Sequence, residues 1–160
     1  MDSLSIKALT AVAVLLLPDG AGAVTAAIPT DPDACTVLTS DQVSDVLGVR
    51  VKAGQHVLPD AHSSCGWAAP GDPSLGAKRL VLTLMSARAF EAGKTPVRSA
   101  TKSAARDIGD EAYYITTPPF GTALSVKKGG NYFQVRISGF PDAQAAHLEK
   151  AVALKLLRRG

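Results

Sequence analysis

The chain has 160 residues, a formal net charge of +3, 46% hydrophobic and 5% aromatic residues. That length specifies one domain with an ordinary core of little aromatic mass. The small positive balance excludes the dense basic surface of a nucleic-acid-binding protein, and two cysteines limit the covalent framework to one bridge.

Residues 1–27 read as a secretory signal. Lys7 ends a short polar start, Ala8 to Leu17 is apolar apart from Thr10, and Pro18-Asp19-Gly20 breaks the run. Ala21-Gly22-Ala23 then has the small-x-small form of a cleavage site, with Val24-Thr25-Ala26 as a second. The competing reading is a buried N-terminal helix. The run is about half of the ~20 apolar residues that a bilayer span needs, so no transmembrane segment is expected in the mature chain. Removing the signal takes Lys7, Asp2 and Asp19 with it, leaving 16 basic and 12 acidic residues. Cys35 follows Pro-Asp-Ala, not the Leu-Ala-Gly type of tripeptide that precedes a lipid-attachment cysteine.

Residues 28–34, with Pro29, Asp31, Pro32 and Asp33, read as an extended lead-in to a single domain over 35–160. Thr39 and Gln42 have the spacing of a capping box, Leu38 and Val43 that of a hydrophobic staple, and Gly48 closes the helix between them. The alternation in Val49-Arg50-Val51-Lys52-Ala53 predicts a half-exposed strand, followed by a loop from Gly54 to His62. Ser64 to Ala69 alternates again, with Cys65, Trp67 and Ala69 on one face. Export makes a Cys35–Cys65 bridge the expected state of the two thiols; free buried cysteines are the alternative. After a turn at Pro70-Gly71-Asp72-Pro73, Arg79 to Met85 is apolar on both faces and reads as the central strand. Ser86 caps a short helix to Ala92. Residues 95–106 are ambiguous: Pro96 could open a helix, but Ser, Thr and Lys dilute it.

From Glu111 the pattern is a β-meander with strands at 111–117, 122–128 and 131–138. A two-residue turn at Gly129-Gly130 sets Val126 opposite Phe133, Leu124 opposite Val135 and Thr122 opposite Ile137. Pro141-Asp142 opens a last helix to Leu157, with Leu148, Val152 and Leu156 as its buried stripe. The expected fold is α+β: an antiparallel sheet of about five to six strands, helices mainly on one face, one disulfide.

No constellation assigns a catalytic residue, a metal ligand or a cofactor. His56, His62 and Cys65 are near in sequence, but an oxidised cysteine offers no thiolate and zinc needs three or four ligands. Asp107, Asp110 and Glu111 lack the spacing of a calcium loop and suit a turn. What remains is a surface: Lys127, Tyr132, Gln134 and Arg136 on the polar side of the hairpin, with Tyr113 or Tyr114 beside them. Aromatic and basic side chains together suit a small anionic ligand or a protein partner in the envelope or outside the cell.

Several short segments carry a resemblance. Asp33-Ala34-Cys35 with Leu38-Thr39, Cys65-Gly66-Trp67, Gly109-Asp110-Glu111-Ala112-Tyr113-Tyr114 and the strand end Leu124 to Lys128 with Gly130 resemble small exported bacterial domains of unknown function. Many of those are lipoproteins, notably from actinobacteria. The resemblance implies an exported, disulfide-tethered α+β domain and no activity; the lipid-attachment cysteine of that pattern is missing here. The expectation is a periplasmic or secreted, non-enzymatic binding or accessory domain. The alternatives are a metal-dependent or hydrolytic enzyme using His56, His62 and the Asp107–Glu111 turn, and a protein-directed inhibitor inserting loop 54–63 or 70–77.

Overall fold

A computed structural model describes residues 32–71 and 76–158. The expected signal segment, most of the lead-in and part of the 70–77 loop lie outside those residues. One antiparallel sheet organises the rest: β1 (Gln55–His56), β2 (Ser64–Ala68), β3 (Arg79–Leu84), β4 (Thr101–Ala104), β5 (Glu111–Thr116), β6 (Thr122–Lys128) and β7 (Asn131–Ser138). Their spatial order is β1-β2-β3-β7-β6-β5-β4. The helices are α1 (Ser40–Leu47), α2 (Ala87–Gly93) and α3 (Asp142–Leu157), with a 3₁₀ turn at Ala34–Thr36 before them. The α+β expectation holds, with seven strands in one sheet.

Helix α1 forms as its sequence predicts. Thr39 Oγ1 accepts from Gln42 N, Gln42 Oε1 accepts from Thr39 N, and Gly48 ends the helix in the left-handed region at φ 66°. Leu38, Val43 and Leu47 are buried in the common core. The Cys35–Cys65 disulfide ties the 3₁₀ turn to β2 across 30 residues of chain. The 129–130 hairpin has the expected register from Lys128–Asn131 to Leu124–Val135.

One face of the sheet carries the core. Trp67, Leu80, Leu82, Leu124, Val126, Val135 and Ile137 are buried there under α1 and α3. Helix α2 crosses to the opposite face, where Phe90 packs on Tyr113 and Tyr132 with ring centroids 5.1 and 5.5 Å away.

Two strand assignments differ from expectation. Residues 49–52 alternate in burial as predicted, although Ala53 is exposed, but their amides are taken elsewhere. Val51 N donates to Ser44 Oγ of α1 and only Lys52 N reaches β2, at Ala68 O. The ladder begins later, at Gln55, after Gly54 passes over Trp67; a Cβ at position 54 would lie 2.7 Å from the indole. The ambiguous 95–106 segment makes no helix. Its Thr-Lys-Ser-Ala run is the edge strand β4, and its polar dilution is what an edge strand carries.

The last helix also departs from its predicted stripe. Ala145, Glu149, Val152 and Ala153 are the buried positions, and Leu148 and Leu156 only half so. The face turned to the sheet thus contains a carboxyl group.

Candidate functional site

The predicted polar face divides in two. At the α2 end it is closed. Tyr113 is buried, and its hydroxyl donates to the Phe90 carbonyl at 2.7 Å. Burial pushes its phenol up from the usual range. Tyr132 lies against Phe90, with Lys127 Nζ 5.9 Å from the Tyr132 ring centroid. Gln134 Nε2 donates to Ser125 Oγ at 3.0 Å. Of the expected surface residues, Tyr113 is therefore an anchor for α2, and Gln134 is tied within the sheet.

At the other end the face is open, and Arg136 stands there with Arg79. Arg79 is opposite Ser138 and Val81 opposite Arg136, so the two arginines are diagonal neighbours on one face. Their backbones are then about 7–8 Å apart, within reach of one carboxylate or phosphate. They line a cleft of about 720 Å³ whose other walls include Val81, Pro119, Phe120 and Phe140, with Asp142 at its rim. Arg136 Nη1 donates to the Phe120 carbonyl at 3.1 Å, which holds the β5–β6 loop over the cleft. Phe120 presents its ring to solvent at 64% exposure.

Glu149 lies beneath this cleft. Ile137 N donates to its Oε1 at 3.0 Å, and Thr122 Oγ1 is 3.1 Å from its Oε2. The carboxyl bridges β6 and β7 at the rung after Leu124–Val135, where the hairpin pattern alone would pair Thr122 with Ile137. The two strands end their ladder there, and Ile137 and Gly121 become cleft walls. Complete burial raises the Glu149 carboxyl to about 7.

A second cluster sits at the β1 edge. His56 Nε2 donates to Asp33 Oδ1 at 2.9 Å, and His62 Nδ1 is 3.6 Å from Asp33 Oδ2. The His56 hydrogen bond, then the Cys35 amide, holds the Asp33 carboxyl below the usual range. The structure thus joins His56 and His62 to Asp33. It joins neither to the Asp107–Glu111 turn, which leads into β5, five strand positions from β1 or about 24 Å away. Nor can Cys65 serve them, because it is in the disulfide.

The Asp107–Glu111 turn has structural duties instead. Gly109 adopts φ 61°, and a Cβ there would collide with the Lys127 carbonyl. Asp110 accepts from Lys128 Nζ and Gly129 N, clamping the hairpin tip. Glu111 meets Lys94 after α2, Tyr113 ties α2, and the Tyr114 hydroxyl donates to Ala146 O of α3. Between them these residues fasten the hairpin tip, α2 and α3 to β5.

Three site residues escaped the sequence. Arg79 read only as a strand start, Asp33 as part of the extended lead-in, and Glu149 lay within the last helix but off its predicted stripe. A signal existed for Asp33: it precedes Cys35 by two residues, as His62 precedes Cys65 by three, so one disulfide brings both together. No family model, curated protein or solved structure matches this chain. Among the described residues, no helix is long and apolar enough to cross a membrane.

Proposed function

We propose that this chain is an exported, non-enzymatic binding domain that takes an anionic ligand with an apolar part in the Arg79–Arg136 cleft. The observation that carries the reading is the pair of guanidiniums on one sheet face, set in a concave site whose remaining walls are largely apolar. Guanidinium forks fix an anion's orientation, and the Phe120, Pro119 and Phe140 walls favour a ligand with a ring or short alkyl body. Export is supported by the signal-like first 27 residues and by the disulfide, which persists in oxidising compartments.

Phenyl phosphate combines an anion with a ring and serves as the probe. Titrated into the protein and followed by calorimetry, it should bind one molecule per chain. Arg136→Ala should weaken it by about tenfold, the worth of one charge-assisted contact at a partly exposed site. Arg79→Ala should do the same. Equal affinity in wild type and both variants would remove the cleft as the binding site.

A further inference from the structure

We propose that Asp33, His56 and His62 form a binding site for a first-row divalent transition-metal ion, with zinc as the reference. The three ligating atoms lie within 4.8 Å of one another. Tetrahedral zinc with bonds of ~2.0–2.1 Å places its ligands about 3.3 Å apart. The His56–Asp33 and His62–Asp33 separations of 2.9 and 3.6 Å straddle that value. The His56 and His62 rings already stand edge to face, centroids 4.5 Å apart, so small side-chain rotations bring a lone pair from each toward a common point. Two imidazoles and a carboxylate suit zinc, nickel and copper, whereas calcium and magnesium prefer all-oxygen sets.

The backbone beneath the cluster is fixed, which separates it from histidines that meet by chance on a mobile loop. His56 is the ladder partner of Cys65, so its side chain rises on the side of the disulfide. Ala34 N donates to the His62 carbonyl at 2.8 Å, bringing the residue after Asp33 onto the loop that holds His62. Cys35, bonded to Cys65, donates its amide to Asp33 Oδ1 at 2.8 Å. That bond orients the carboxylate from behind and leaves Oδ2 toward His62, as an outer-shell partner orients a metal ligand. His62 is 56% exposed and the other two about a quarter to a third. An ion held here keeps positions open to solvent. This inference does not rest on the arginine cleft, which is lined by other residues.

The test is calorimetric titration of zinc chloride into the purified, disulfide-bonded protein, repeated with His56→Ala, His62→Gln and His147→Ala. His147 is exposed on α3 and serves as the control. The expected result is one ion per chain, with affinity lowered at least about tenfold by His56→Ala and by His62→Gln and unchanged by His147→Ala. His62→Gln changes an exposed side chain, so its effect is read on a folded protein even if His56→Ala loosens the β1 edge. A parallel cobalt titration reads the site by absorption, which a structural histidine–aspartate pair without metal would not produce. Absence of binding, or binding that His62→Gln leaves intact or His147→Ala weakens equally, would overturn the proposal.

Discussion

Glu149 shows how one side chain sets both stability and the shape of the cleft. Its carboxyl is fully buried and takes the place of a backbone rung between β6 and β7. Burial raises it to about 7, against an ordinary value of 4.5. Between those values the folded chain holds a proton that the unfolded chain has released. Stability therefore falls as pH rises through that window and levels off above it. The full effect is about 3 kcal/mol. Glu149→Gln keeps an acceptor for Ile137 N and supplies a donor for Thr122 Oγ1, with no charge to bury. In urea unfolding at pH 8 the variant should be more stable than wild type by up to that amount, and the two should converge toward pH 5. Parallel stability–pH curves would show that Glu149 is not the group that titrates.

At the scale of elements, the disulfide fastens the 3₁₀ turn and the start of α1 to β2. Closing a loop of 30 residues stabilises the fold by about 3.5 kcal/mol through the unfolded chain. The double variant Cys35→Ser, Cys65→Ser should lose about that much in the same unfolding assay; a loss below about 1 kcal/mol would mean the fold holds the turn without help. Elements of this kind were legible in the sequence because local chemistry decides them: the Thr39–Gln42 box, the Gly129-Gly130 turn and the alternation around Leu80 and Leu82. What was not legible depended on partners distant in sequence. The 49–53 segment alternates like a strand, but Ser44 of α1 takes the Val51 amide. The 101–104 segment is polar because it lies at the sheet edge, a position no local pattern reports. Tyr113 and Gln134 fell on the predicted face, but α2 crossing over it closed that end, and a seven-residue helix carries no mark of which face it will cover. Arg136 was found because it alternates with core residues; Arg79 joined it only through the β3–β7 register.

At the scale of the whole molecule, the sheet separates a core face under α1 and α3 from a face only partly covered by α2. That uncovered remainder, with its two arginines and exposed Phe120, carries the binding proposal. Export is tested by the intact mass of protein recovered from a bacterial envelope. A chain beginning near Val24 or Ala27 that takes up alkylating agent only after reduction is the expected result; a full-length chain with two free thiols would contradict export. The ligand's location is read by an amide-shift map of the isotopically labelled protein titrated with phenyl phosphate. Shifts are expected to concentrate at Gly121, Val81 and Arg136 to Phe140, and to need about tenfold more phenyl phosphate in Arg136→Ala. Shifts that centre elsewhere, or that persist unchanged in Arg136→Ala, would contradict that location.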